Sequence, residues 1–200
     1  MASPGPKHKS DLEKIEIAKQ FKSEGNECHK QENFKQAIGK YHRALMQLKA
    51  VGSSKSAGLG AFLSDETMQD MGYSEPVSES TRHEVTKLMC DCYNNLSACL
   101  LKQDAPNHHK ILEYCDKVTD LDPSNAKAHY RKGLAYYSLE KYEEAVQSFS
   151  VASKLDSSFQ ASKYIRQCKE GIRKQDQQLK DAYRGIFNKG SRDSEAADNG

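Results

Sequence analysis

The stretch "NAKAHYRKGLAYYSLEKYEEAVQSFSVA", residues 125–152, reads as two amphipathic helices joined by a short polar turn. Its first helix carries Lys127 and Arg131, which lie one helical turn apart. A single helical hairpin cannot bury its own apolar face. The rest of the chain must therefore supply similar hairpins, and the two cations need a partner of opposite charge.

The composition favours a helical chain without a general affinity for polyanions. The 200 residues are 36% hydrophobic, which is low for a β-sandwich or barrel but adequate for a helical solenoid. The 30 Lys and Arg against 28 Asp and Glu give a net charge of only +2, so we expect no nucleic-acid binding and no membrane-surface binding. The N-terminal "MASPGPKHKS" lacks a signal-peptide core, and no apolar window approaches membrane-spanning length. We expect a cytoplasmic protein.

A second copy of the hairpin lies near the N-terminus. Residues 18–51 and 126–159 align as 34-residue units, and a weaker copy of 36 residues spans 90–125, with Ser97 at the glycine position. The outer copies share small residues and aromatics in the same places: Gly25 with Gly133, Phe34 with Tyr142, Ala37 with Ala145, Tyr41 with Phe149, and Ala44 with Ala152. Small residues there allow two helices to approach closely, and the aromatics interlock them.

This pattern resembles the tetratricopeptide repeat. The resemblance implies an all-α fold in which three helix-turn-helix repeats form a right-handed solenoid, closed by a long C-terminal capping helix. Most of the second copy departs from the pattern. So do a few positions of the outer copies, namely Glu24, Cys28, Lys49, His129, Lys132 and Ser157.

The repeats set the domain boundaries. Ser10 followed by Glu13 predicts a capping box, so the first helix should begin near residue 11 after a disordered segment 1–10. The Gly- and Ser-rich stretch 50–80 lacks periodicity and predicts an inserted loop. Helical spacing from 160 to 187 predicts the capping helix, which gives a tetratricopeptide domain over 11–187 and a disordered tail over 188–200.

The repeat frame brings a polar set onto one helical face. Positions 2, 5, 6 and 9 of the first helix of a repeat lie three, four or seven apart, except for the adjacent 5 and 6, so they share a face. They hold five candidate site residues: Lys22, Asn26, Asn95, Lys127 and Arg131. We expect these to converge on the concave groove. Cations with neutral amide donors suit an anion that carries more than one charge, such as a pair of carboxylates.

The same five residues resemble the two-carboxylate clamp of co-chaperone tetratricopeptide domains, which grip the C-terminal Glu-Glu-Val-Asp of heat-shock proteins 90 and 70. The resemblance implies that Lys22, Asn26 and Asn95 hold the terminal main-chain carboxylate. It places Lys127 on the side chain of the last aspartate, and Arg131 adds charge and a peptide contact. Any one of these residues alone is more often an ordinary surface side chain.

Three segments carry a second resemblance: "FKQAIGKYHRALMQLKA", "DCYNNLSACLL" and "NAKAHYRKGLAYYSL", followed by a closing "DAYRGIF". They are similar to the tetratricopeptide repeat protein 9 family and to the tetratricopeptide half of large immunophilins. Only ten residues precede the first helix, so the immunophilin likeness supports a binding surface and no isomerase. The match covers about residues 11–187.

Two functions follow as alternatives. The first is a non-enzymatic adaptor of co-chaperone type that binds the tail of heat-shock protein 90, heat-shock protein 70 or both, together with an unknown client. The second is an interaction scaffold that uses the groove for an internal, non-chaperone segment. No catalytic triad, paired carboxylates or phosphate loop is evident, so we expect no enzyme and no cofactor.

The six cysteines are predicted to be reduced thiols that pack as small apolar residues. A zinc site could use one cluster of residues: Cys90, Cys92, His108, His109 and Cys115. Its C-x-C and H-H spacing does not match a familiar zinc finger, so no metal site is expected.

Overall fold

The computed structural model describes residues 9–52 and 77–197, with side chains described to residue 184. Seven helices and no strands occur in these residues. In chain order they are α1 (Asp11–Lys30), α2 (Phe34–Lys49), α3 (Glu79–Leu101), α4 (His108–Leu121), α5 (Ala126–Ser138), α6 (Tyr142–Leu155) and α7 (Ala161–Ala197). The predicted all-α fold is confirmed. The chain divides into two compact units, Met1–Ala128 and His129–Gly200.

The first helix begins where the sequence predicts. The Ser10 hydroxyl accepts a hydrogen bond from the Glu13 backbone N–H at 3.2 Å, and the Glu13 carboxylate accepts one from the Ser10 N–H at 2.8 Å. This reciprocal capping box satisfies two backbone donors that the first turn would otherwise leave unpaired.

The turns of the two outer hairpins share an unusual backbone conformation. Glu32, between α1 and α2, and Glu140, between α5 and α6, both have φ of 57°. A non-glycine residue rarely adopts this left-handed conformation. Its recurrence at equivalent positions is structural support for the repeat that was inferred from side-chain type alone.

In the first unit, α1 and α2 come close to each other at Gly25. A Cβ atom added there would lie 2.7 Å from Cε1 of Tyr41, a ring that is only 1% exposed. The surrounding core includes Ile15, Leu48 and Leu96. The small residue at this position is therefore what lets the Tyr41 ring fill the gap between the helices.

The second unit repeats this arrangement. A Cβ atom added at Gly133 of α5 would lie 2.7 Å from Cδ1 of Phe149 in α6. The Phe149 ring is fully buried and stacks on Tyr164 of α7, with ring centroids 5.1 Å apart. Ala161 and Cys168 of α7 are also fully buried in this core, so the start of α7 covers α6 as predicted for a capping helix.

The start of α3 and the end of α7 can be compared with the predicted boundaries. α3 begins at Glu79, capped by Ser78, and is 23 residues long. Most of the predicted loop, 53–76, lies outside the described residues. α7 continues to Ala197, past the predicted end near residue 187. The segment 188–197 contains no proline and only one glycine, so nothing in it forces the helix to stop.

Candidate functional site

Three of the five predicted residues meet on the first unit. Lys22 and Asn26 lie one turn apart on α1, and Asn95 lies on α3. The Asn95 side-chain amide donates a hydrogen bond from Nδ2 to Oδ1 of Asn26 at 2.9 Å. Residues separated by an insertion and a whole helix thus come into direct contact, as the repeat frame predicts.

A buried tyrosine orients the amide of Asn26. The Tyr41 hydroxyl donates to the same Oδ1 of Asn26 at 2.9 Å, so this oxygen accepts two hydrogen bonds. Burial raises the pKa of Tyr41 well above its ordinary value, which keeps the hydroxyl protonated as a donor. With its oxygen engaged, Asn26 has no described partner for Nδ2. Its two N–H donors can therefore serve a ligand.

The amide pair borders an open cleft of about 270 Å³. The lining includes Asn26, Asn95 and Tyr41, with Ser23 and Lys30 on the same helix as Asn26. The ammonium of Lys30 pairs with Glu27 at 2.8 Å on the exposed rim. The lining of the cleft thus includes the neutral amide groups of Asn26 and Asn95, but not Lys22.

Sequence reasoning missed the partner of Lys22. The Lys22 ammonium Nζ lies 2.6 Å from Oδ2 of Asp91 on α3, one turn before Asn95. The side chains of Lys22 and Asp91 are 24% and 45% exposed, so the pair is in contact with solvent. The i, i+4 spacing of Asp91 and Asn95 is visible in the sequence, but it does not show which residue of α1 each one faces.

Asn94, next to Asn95 on α3, is not among the predicted site residues, but it supports the helix that carries Lys127. Its side-chain Nδ2 donates to Oδ1 of Asn125 at 3.1 Å, and Asn94 is only 7% exposed. Asn125 in turn accepts from the backbone N–H of Ala128 at 3.2 Å, which caps the first turn of α5. This partly buried amide pair stabilises the start of the helix that carries Lys127.

The two cations of α5 have different surroundings. Lys127 is exposed, and its side chain makes no hydrogen bond or ion pair with a described residue. Arg131 follows it by one turn, is half-buried, and belongs to the second compact unit. Lys127 therefore presents an unneutralised charge in the same unit as Lys22, Asn26 and Asn95.

A second cleft of about 330 Å³ lies on other elements and includes none of the five predicted residues. Lys110 and Lys117 line it, but both approach the Glu113 carboxylate, at 2.5 and 3.9 Å. The Tyr114 hydroxyl and the His42 ring nitrogen are 3.2 Å apart at its wall. Lys49 lines the cleft as well, so this cleft gathers three lysines around one internal carboxylate.

The cysteines behave as packing residues. Five are buried and Cys28 is half-buried, all as free thiols. Burial raises the pKa of Cys90 to about 11 and that of Cys92 to about 12, so both are protonated at neutral pH. Within the described ranges no group of three His, Cys, Asp or Glu side chains is arranged to hold a metal ion. No helix there is both long enough and apolar enough to cross a membrane.

Comparison with known proteins assigns the family. The tetratricopeptide repeat profile matches residues 126–159, the third predicted repeat. Together with the helical hairpins, this defines a tetratricopeptide repeat protein. Tetratricopeptide repeat protein 9C of Xenopus tropicalis is 31% identical over 171 residues, which make up 85% of this chain and 92% of that protein. The chain belongs to the tetratricopeptide repeat protein 9 family, as predicted.

Solved structures agree with the fold. The C-terminal tetratricopeptide domain of a Plasmodium falciparum FK506-binding protein has a TM-score of 0.64 at 23% identity, covering 84% of this chain and 97% of that one. The first tetratricopeptide domain of Spaghetti (RPAP3), solved with the HSP90 peptide SRMEEVD, has a TM-score of 0.53 at 18% identity. That match covers 79% of this chain and 94% of that one. At these identities the likeness concerns the fold alone.

Proposed function

We propose that this chain is a non-enzymatic adaptor of co-chaperone type, which binds the C-terminal Glu-Glu-Val-Asp tail of heat-shock protein 90, heat-shock protein 70 or both. The observation that carries the proposal is the Asn26–Asn95 amide pair, with Lys22 one turn away. Neutral N–H donors beside an ammonium group suit a carboxylate, since both kinds of group donate hydrogen bonds to its oxygens. The HSP90 peptide bound by the RPAP3 domain has the same four-residue terminus.

Each residue has a distinct part in the proposal. Lys22, Asn26 and Asn95 hold the terminal main-chain carboxylate. Lys127, exposed at the start of α5, pairs with the side-chain carboxylate of the last aspartate. Arg131, one turn further along the same helix, adds charge and a contact to the peptide. Tyr41 does not touch the peptide, but it sets the orientation of the Asn26 amide.

The test is calorimetric titration of the full chain with a Glu-Glu-Val-Asp peptide. Removing one partner of a charge-assisted hydrogen bond costs about 1.5 to 3 kcal/mol. At about 1.4 kcal/mol per decade, Lys22→Ala and Lys127→Ala should each weaken binding roughly ten-fold to a hundred-fold. Arg131→Ala and Asn26→Ala should also reduce affinity.

Two lysines serve as controls. Lys19 lies on α1 like Lys22 and also pairs with a carboxylate of α3, Glu84, at 2.9 Å. Lys141 is an exposed lysine at the start of α6. Lys19→Ala and Lys141→Ala should leave the affinity within about two-fold, a difference of only about 0.4 kcal/mol. Equal losses in the Lys19 and Lys22 variants would contradict the assignment, because general charge alone would then explain binding.

A second candidate function is a scaffold that binds an internal acidic segment rather than a chain terminus. The Lys22–Asp91 ion pair favours this alternative, because Lys22 already has a carboxylate partner within the protein. A ligand without a terminal carboxylate would then lose little affinity, because Lys22 already has a carboxylate partner. Dependence of binding on a free C-terminus separates the two functions.

A further inference from the structure

α1 and α3 are connected by two polar contacts in the same register. The Lys22 ammonium Nζ donates to Oδ2 of Asp91 at 2.6 Å. One turn further along both helices, Nδ2 of Asn95 donates to Oδ1 of Asn26 at 2.9 Å. Both contacts lie on the face where the carboxylate of a bound peptide is proposed to sit. Asp91 is therefore an acidic side chain placed directly on the predicted anion site.

The repeat frame shows how unusual this placement is within the chain. Asp91 and Asn95 stand second and sixth in the second repeat, where the third repeat has Lys127 and Arg131. The same two helical positions thus carry two cations in one repeat, but an anion and a neutral amide in the other. The second repeat thus places a negative charge beside Lys22, at the position where the third repeat has Lys127.

A carboxylate ligand and Asp91 compete for the same ammonium group. Lys22 has three N–H donors, and Asp91 uses at least one of them at short distance. A second carboxylate brought next to Asp91 is repelled by it, because like charges a few ångströms apart disfavour each other. The Asp91 side chain is 45% exposed, so it can turn toward solvent when a stronger ligand arrives.

We propose that Asp91 is a specificity-determining residue, whose carboxylate occupies Lys22 in the free protein and must be displaced before a peptide carboxylate binds there. The inference deepens the proposed function and rests on it. It names the favoured ligand class as peptides with several carboxylates near a free C-terminus, since the exposed Lys127 can bind a second carboxylate when the first displaces Asp91 from Lys22.

The test compares wild type with Asp91→Asn by calorimetric titration at low ionic strength. The free-acid Glu-Glu-Val-Asp peptide should bind the variant about ten-fold more tightly, which corresponds to about 1.4 kcal/mol. The C-terminally amidated peptide should change by no more than about two-fold, which is about 0.4 kcal/mol. Thermal melting of both proteins checks that the fold is retained.

Glu84→Gln is the matched control. Glu84 lies on α3 and pairs with Lys19 of α1 at 2.9 Å, so this substitution removes the same charge from the same helix pair. It should leave both affinities within about two-fold. An equal gain in the Glu84 and Asp91 variants would overturn the inference, because it would reflect net charge alone.

The outcomes separate this inference from the proposed function. If wild type binds the free acid and Asp91→Asn binds it no more tightly, the inference fails and the proposed function stands. If only the variant binds, the inference is supported, and Asp91 closes the site in the wild-type chain. If neither binds, the proposed function fails and the inference fails with it.

Discussion

Gly133→Ala is the substitution that tests the helix packing most sharply. The added Cβ would lie 2.7 Å from Cδ1 and Cε1 of Phe149 and 2.9 Å from its Cγ, whereas carbon atoms in favourable contact are about 3.5 to 4.0 Å apart. The Phe149 ring cannot move aside easily. It is fully buried, stacked on Tyr164 and packed edge-on against Tyr130 at 5.6 Å.

The expected loss in the free energy of unfolding is the difference between two opposing effects. Overpacking of this kind costs about 2 to 3 kcal/mol, and replacing a helical glycine by alanine returns about 1 kcal/mol. The net destabilisation is about 1 to 2 kcal/mol, and at about 2 to 4 °C per kcal/mol for a chain of this size the melting temperature should fall by about 2 to 8 °C. Thermal and urea unfolding followed by far-ultraviolet circular dichroism measures both quantities.

Gly39→Ala is the matched control. Gly39 lies in the middle of α2, and a Cβ atom added there meets nothing within 4 Å. This variant should be more stable than wild type by about 0.5 to 1 kcal/mol, because only the helix propensity changes. In a Phe149→Leu background, Gly133→Ala should lower the free energy of unfolding by less than it does in the wild-type chain. If Gly133→Ala raises the melting temperature as Gly39→Ala does, the inferred close approach of α5 and α6 is wrong.

Three further substitutions or conditions test the site and its support. Tyr41→Phe removes one of the two hydrogen-bond donors to Oδ1 of Asn26, so peptide affinity should fall by about two-fold to ten-fold, or about 0.4 to 1.4 kcal/mol. Unchanged affinity in calorimetry would show that the hydroxyl does not orient the amide. Asn94→Ala removes the hydrogen bond to Asn125 Oδ1, which still accepts from the Ala128 N–H, and should lower the free energy of unfolding by about 0.5 to 1.5 kcal/mol in urea titration. Burial, and to a smaller extent the charges of nearby lysines, lowers the pKa of His42 in the folded state. Its contribution to stability is therefore present above the unfolded pKa of about 6.5 and is lost as the pH falls below that value. Melting between pH 7.5 and 5 should therefore show a smaller decline in His42→Gln than in wild type, and equal declines would contradict this assignment.

The sequence predicts the hairpins well because their determinants are local or repeated. Gly25 and Gly133 recur in the same frame as Tyr41 and Phe149, and the structure places each glycine against its aromatic ring. The capping box at Ser10 follows from a spacing of three residues. Such features need no knowledge of distant parts of the chain.

The partner of Lys22 could not be predicted in the same way. Asp91 is separated from it by α2 and by the stretch 50–80, so its contact depends on the register between α1 and α3. A shift of one residue would turn Asp91 away, since each helical residue rotates about 100° around the axis. The pairing of Asn94 with Asn125 depends on register between α3 and α5 for the same reason.

The end of α7 shows another limit of the pattern. Apolar periodicity marks where a helix is buried, and that signal ends near residue 187. Side chains from Arg173 to Arg184 are already exposed, so the helix runs beyond the part that packs. Residues 188–197 contain no strong helix breaker, so the helix can continue to Ala197 without an apolar signal in the sequence.

The most direct test of the central claim is a calorimetric titration of the wild-type chain with Glu-Glu-Val-Asp peptides that differ only in a free or an amidated C-terminus. The free acid should bind at least ten-fold more tightly, a difference of about 1.4 kcal/mol or more, because Lys22, Asn26 and Asn95 are proposed to hold the terminal carboxylate. Its affinity should also fall as salt is raised, since partly exposed charge pairs are screened over about 8 Å at physiological ionic strength. Equal binding of the amidated peptide would contradict the two-carboxylate clamp and favour the internal-segment scaffold.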